Sequence, residues 1–381
     1  MRDSPHSCFY GGKRWPVVAG IPYLRTGREA LREAVLSDLD AGNERMALAR
    51  LLGDQDDFAR IPPPSLAALL VLIDDKPSFG ETLKRLNFGP VADYFRFRPW
   101  TPTYLSGLGL LAQFGAPAGG VVIEIACGVG HFLAEIRRSG YDAIGVDTVF
   151  SKLWLARRFV ACEADLFCAD ATGRLPIATG TPATVLCHDA FYFLSDKAAA
   201  LAEMHRLATP AGTVLIGHTH NRDVESGVAG DALTPCAYAA LHPGAMLFDD
   251  EDFIGVALGT STATEKSPDT LARAEAVSLA WVNGARASAV APWHELLQIS
   301  PDANVWNPLL TNWPSESFRK EYESHMDYLF NMPALTGGSG QEVDLDLNLA
   351  QVAASMSAKE FGPLLARLRR QRIRVAVPTW W

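Results

Sequence analysis

The sequence predicts an α/β protein, a doubly wound and mostly parallel sheet with a helical N-terminal region and a C-terminal extension. Three observations predict it. From Val121 onward, apolar strand-like runs alternate with amphipathic helical stretches. The first of these runs passes into a glycine turn and then a helical pattern, an arrangement that lets backbone approach a ligand closely. The chain's 381 residues, 48% hydrophobic and 20% charged, supply material for a large core.

Residues 1–98 read as a mainly helical accessory region. Trp15-Pro-Val-Val-Ala-Gly-Ile-Pro-Tyr23 reads as a strand and turn. Apolar residues at helical spacing predict helices over Thr26–Leu39 and Leu48–Ile61, the second stopped by Pro62-Pro63-Pro64. Ser65 is a good N-cap for a third, running to Ile73. Residues 99–222 carry the alternation proper. Strands are predicted over Val121–Ile125, Ala143–Asp147, Leu166–Ala169, Ala183–His188 and Thr213–Gly217, with helices over His131–Ser139, Ser151–Ala161 and Asp196–Ala208 between them. Pro210-Ala211-Gly212 separates the last helix from the fifth strand. Residues 223–381 are expected to complete the sheet and cap the substrate, with Ala274–Val282 and Arg372–Val377 as late strands and Ser315–Leu329 as a helix.

Composition narrows the function. A formal net charge of −9 repels phosphate, which argues against nucleic acid as a partner. The N-terminal residues hold no apolar run of signal type, and Leu66–Ile73 is too short to span a bilayer, so no membrane role is expected. The six cysteines, Cys8, Cys127, Cys162, Cys168, Cys187 and Cys236, form no C-x-x-C pair. That argues against a zinc or disulfide framework and fits a cytoplasmic location.

The strongest motif is Val121-Val-Ile-Glu-Ile-Ala-Cys-Gly-Val-Gly-His131. A dinucleotide fold wants a third glycine three residues after Gly130, and Leu133 stands there instead. The pattern resembles glycine motif I of the class I S-adenosylmethionine (SAM) methyltransferases, with Glu124 closing the strand before Gly128 and Gly130. Ala126 stands where that family usually has glycine, and Cys127 lies in the loop. The resemblance implies a seven-stranded sheet, SAM as cofactor and roles for the later strand ends. Asp147, followed by Thr148, would bind the ribose hydroxyls, and Asp170 and Ala171 the adenine edge. His188 and Asp189 would lie beside the methionine half. Four such elements in order, each at a strand's carboxyl end, are far more specific than one glycine loop.

Histidines form a second constellation. His188 ends the fourth strand, and His218-Thr219-His220-Asn221 ends the fifth, its neighbour in the family's sheet. With Asp189, these imidazoles are candidate catalytic groups. They suit acid–base work on a substrate hydroxyl or amine, a divalent metal, or plain positioning, and acid–base work is preferred over a resident metal. Tyr104, Tyr192 and Asn221 are the expected substrate-side residues. The expected activity is methyl transfer from SAM to a small-molecule acceptor. The rival is a methyltransferase-like module that binds SAM without turnover.

Overall fold

The computed structural model describes residues 2–282 except 5, 56–57, 60, 116–119, 180–182, 209–210 and 225–229, then 305–311, 313–326 and scattered positions from 362 to 380. The chain begins with an antiparallel meander, β1 (Arg2–Ser4), β2 (Ser7–Tyr10), β3 (Lys13–Val18) and β4 (Ile21–Pro22). The predicted strand and turn is the second half of it. Helices α1 (Glu29–Asp40), α2 (Glu44–Leu52), α3 (Leu66–Asp75), α4 (Phe79–Arg85), α5 (Pro90–Phe97) and α6 (Pro102–Phe114) follow. Ser65 caps α3 by accepting from the Ala68 amide. The helix expected over Leu48–Ile61 is instead α2, which starts at an Asn43 cap and stops before Gly53.

The sheet proper comprises β5 (Val121–Ile125), β6 (Asp142–Asp147), β7 (Asp165–Cys168), β8 (Ala183–His188), β9 (Thr213–His220), β10 (Met246–Asp249) and β11 (Ala276–Val282). Between these strands run α7 (His131–Arg138), α8 (Phe150–Leu155), α9 (Lys197–Ala208), α10 (Pro235–Ala240) and α11 (Asp252–Leu258). The strand order is β10-β11-β9-β8-β5-β6-β7, with β11 antiparallel to β9 and to β10. This is the expected seven-stranded, mostly parallel sheet. One apolar cluster packs on each face: α6, α7, α8 and α11 contribute to the first, and α9, α10 and the N-terminal meander to the second. Tyr23 bridges to Cys168, so the meander abuts the β7 edge.

Two late expectations need correction. Ala274–Val282 contains β11, but the described part of the expected strand Arg372–Val377 lies outside this sheet, and positions 373, 376 and 377 are outside the described residues. Its described strand β13 (Arg374–Val375) pairs with β12 (Val305–Trp306) in a separate ladder. The missing strand is β10, whose four residues, only three of them apolar, offer too short a run to recognise. The helix expected over Ser315–Leu329 is α13 (Glu316–Tyr322), after a short α12 (Pro308–Thr311) and before a 3₁₀ turn over Glu323–His325. Positions 327–329 lie outside the described residues. Here Phe318, Tyr322 and Met326 pack on Phe97 and Trp100 in a third cluster. No described helix is long and apolar enough to cross a membrane.

Candidate active site

A cleft of about 1540 Å³ opens at the carboxyl ends of the parallel strands, the edge where open α/β sheets bind ligands. Glu124, Ala126, Cys127, Gly128, Asp147, Thr148, Asp170, Ala171 and His188 all line it. Gly128 has φ +56°, and a Cβ there would come within 3.1 Å of Phe95. Its amide donates to Asp147 Oδ2 at 2.9 Å, while Asp147 Oδ1 accepts from the Val149 amide at 2.8 Å. Two of the carboxylate's four acceptor sites thus hold the glycine loop and the start of α8, and two remain for a diol. Asp170 Oδ1 is occupied by the amide and hydroxyl of Thr172. Gly130 does not line the cleft. Its φ of +82° and its closeness to Ala156 and Ala161 make it a packing glycine.

Ala126 adopts φ +57°. The left-handed conformation costs a non-glycine residue roughly 1–2 kcal/mol, which is the physical reason glycine is usual there. Glu124 is buried, its Oε2 has no partner, and burial pushes its carboxyl up to about 8. An orphaned buried acceptor facing a cleft calls for a ligand donor. Cys127 is buried and its thiol is pushed up by burial, so it packs rather than reacts.

The second half of the cleft gathers the histidines. His218 has φ +47° and sits in a β-bulge, where Gly217 and His218 together oppose Ser278 of β11. Before the bulge, Val214 and Ile216 face the cluster beneath α9 and α10; after it, Thr219 does, bonded to Tyr238. The extra residue therefore turns His218 and His220 to the face occupied by His188. The His188 and His218 rings stack at 6.1 Å, and those of His218 and His220 lie 5.3 Å apart. The three imidazoles share one pocket with Asp189 and Tyr192.

Their environments differ. Arg98 approaches His188 Nδ1 at 3.3 Å, and guanidinium has only donors, so Nδ1 accepts. Nε2–H then faces the Ser106 hydroxyl at 3.3 Å, which donates to the Thr103 carbonyl. Burial pushes His188 down to about 3, so it is a neutral ring held at both nitrogens. Asp189, at φ +54°, accepts from Arg98 at 2.8 Å, Tyr94 at 2.6 Å and Tyr192 at 2.9 Å. Burial would raise its carboxyl, but Arg98 and the imidazoles hold it below the usual carboxylate range. His218 meets Asp250, with its Nδ1 2.7 Å from Oδ2 and its own amide donating to Oδ1, which also accepts from Ser278. Burial alone would lower His218. The Asp250 carboxylate overrides it and raises the imidazole to about 9, while Asp250 falls well below the usual range.

Two expected substrate-side residues lie elsewhere. Tyr104 turns into the core, stacked on Phe132 at 4.9 Å between centroids and only 6% exposed. Asn221 is fully buried, and its amide donates to the carbonyls of Leu271, Ala272 and Ala274. Tyr192 does line the cleft. Sequence reasoning missed Arg98, Tyr94 and Asp250. Tyr94 and Arg98 were legible as an i, i+4 pair before the first strand, and Asp250 follows the strand that went unread.

A family model described as a methyltransferase domain matches residues 123–216, from β5 into β9. No match was found among the curated proteins. Several solved structures are similar. One is a SAM-dependent methyltransferase from Thermotoga maritima, described as a possible histamine N-methyltransferase, with 15% identity, coverage of 54% of this chain and 100% of that one, and TM-score 0.38. A complex between a Haloferax volcanii methyltransferase activator and a methyltransferase matches at 16% identity, with coverages of 54% and 97% and TM-score 0.38. A TehB-like SAM-dependent methyltransferase from Corynebacterium glutamicum matches at 17% identity, with coverages of 47% and 88% and TM-score 0.34. The matched domain, the strand order and the glycine and acidic positions together identify residues 123–216 as a SAM-dependent methyltransferase domain within a class I methyltransferase fold, with SAM as its cofactor.

Proposed function

We propose that this chain methylates a small-molecule acceptor, with His218 as the general base. The Asp250–His218 pair carries this reading. Asp250 takes Nδ1–H, which fixes the tautomer and presents Nε2 to the cleft, as an orienting carboxylate does for a catalytic imidazole. SAM supplies an activated methyl group on a sulfonium. The orphaned Glu124 Oε2 and the close approach at Gly128 fit such a ligand, with Asp147 toward the ribose and Asp170 and Ala171 toward the adenine. His188, held at both nitrogens, acts as a wall rather than a base. Asp189 positions Tyr94, Arg98 and Tyr192 around the acceptor, and His220 extends the pocket. Glu321, Tyr322 and His325, from the C-terminal region, line the cleft as its cap. Exposed thiols at Cys162 and Cys236 suit a reducing compartment such as the cytoplasm.

A metal reading has one observation behind it, since ligand atoms of Asp189, His218 and His220 lie within 4.8 Å of one another. Against it, Asp189 already bears an Arg98 ion pair and two phenol hydrogen bonds, and Asp250 already neutralises His218. A further cation competes with both.

The groups facing His218 are Asp250, Asp189, His188, His220 and Arg98. A base raised to about 9 is neutral only above that pH, so turnover rises with pH through the alkaline range. Asp250→Asn removes the raising carboxylate and moves the limb to lower pH, with kcat down about 10²–10⁴-fold, the usual worth of general-base catalysis. NMR titration of the imidazole signals and the pH–rate profile check this. A His218→Gln enzyme with undiminished kcat contradicts the base assignment, and loss of turnover on chelation with recovery on added divalent ion replaces it with metal chemistry.

A further inference from the structure

The rings on the acceptor side of the cleft form a continuous ribbon. Phe58, 48% exposed at the mouth, lies 4.9 Å from Phe193 between ring centroids. Phe193 lies 4.4 Å from Tyr192, Tyr192 lies 4.5 Å from His220, and His220 lies 5.3 Å from His218. The ribbon runs from solvent to the imidazole that Asp250 orients. Exposed large apolar side chains are few among the described residues, and three of the seven, Phe58, Ile61 and Val91, line this cleft. Apolar surface gathered at a concave mouth marks a binding site rather than ordinary surface. The cleft, at about 1540 Å³, also exceeds the roughly 300–1,000 Å³ typical for one ligand, so a second molecule fits beside the cofactor.

Hydrogen bonding narrows the reacting group. At the inner end of the ribbon, Asp189 is engaged by Arg98, Tyr94 and Tyr192, and Asp250 by the amide and ring of His218 and by Ser278, so both carboxylates are already committed to protein donors rather than to an ammonium. A neutral hydroxyl fits better.

We propose that the acceptor is a flat aromatic hydroxyl compound whose rings lie along Phe58, Phe193 and Tyr192 and whose hydroxyl reaches His218. This rests on the methyltransferase reading with His218 as base. In the step, a lone pair of the hydroxyl oxygen forms the new O–CH₃ bond as the methyl–sulfur bond breaks and its electron pair stays on sulfur. The O–H proton passes to His218 Nε2. The products are the aryl methyl ether, S-adenosylhomocysteine and a protonated imidazole. Aromatic faces prefer ring partners at centroid distances of about 4.5–7 Å, which a saturated ring of the same size cannot reproduce.

The test uses the full chain loaded with S-adenosylhomocysteine and two probes on one skeleton, 2-naphthol and decahydro-2-naphthol. Fluorescence titration of 2-naphthol and competition by the saturated alcohol give the two affinities. The expected result is at least about tenfold tighter binding of 2-naphthol, from ring contacts the saturated alcohol cannot make. Phe58→Ala and Phe193→Ala each weaken 2-naphthol about three- to tenfold. Both keep wild-type affinity for S-adenosylhomocysteine by calorimetry, which controls for folding. With SAM in place of the product, 2-methoxynaphthalene forms. Equal binding of the two alcohols, unchanged 2-naphthol affinity in both variants, or binding without 2-methoxynaphthalene overturns the aromatic assignment and leaves SAM binding standing. Failure of the wild type to bind S-adenosylhomocysteine removes the underlying reading as well.

Discussion

At the scale of single residues, the site is built from carboxylates with divided duties. Asp147 anchors the glycine loop through the Gly128 and Val149 amides and is the residue we propose for the ribose, so its loss removes more than ligand contacts. Asp147→Ala frees the Gly128 and Val149 amides. Hydrogen bonds to charged groups contribute about 1.5–3 kcal/mol each, so losing two to the ribose weakens S-adenosylhomocysteine by on the order of a hundredfold or more. Titration calorimetry checks this, and unchanged affinity removes the ribose assignment. The glycine loop, Asp147 and Asp170 were legible because each follows an apolar strand directly. Asp250 was not. Its partner lies 32 residues away in sequence, and only the pairing of β10 and β11 beside β9 brings the two together. Tyr104 and Asn221 misled for the reverse reason. Both lie next to site residues in sequence, yet helix and strand geometry turn them into the core.

At the scale of elements, the parallel strands were readable from apolar runs alone, while the bulge in β9 was not. Plain alternation from Val214 and Ile216 would have sent His218 to the opposite face, and Gly217 was the one local hint of an extra residue. Helix α6 shows the same dependence on close approach. A Cβ at Gly109 would lie 1.9 Å from the Phe253 carbonyl of α11, and one at Gly107 would strike Phe132 and His188. Gly109→Ala is therefore expected to destabilise the fold by about 1–3 kcal/mol, because backbone cannot yield as a side chain can. Thermal denaturation measures it. A variant as stable as wild type shows that α6 and α11 pack less closely than described.

At the scale of the whole molecule, a sheet with one core on each face carries a cleft at its carboxyl edge, and the flanking regions supply what the sheet lacks. Tyr94 and Arg98 come from the N-terminal region, and Asp250 and Tyr322 from beyond residue 222. The glycine and acidic residues that directly follow apolar strands made the cofactor half readable in the sequence. The acceptor half rests on contacts between distant segments, which no local pattern encodes. The most direct measurement is calorimetric titration of S-adenosylhomocysteine into the wild-type chain and Gly128→Val. Valine at φ +56°, with its Cβ 3.1 Å from Phe95, blocks the cradle. The wild type is expected to bind one-to-one and the variant not at all, while the variant's circular dichroism remains that of a folded protein. A folded Gly128→Val protein that binds as the wild type does, or a wild type that does not bind, contradicts the cofactor assignment.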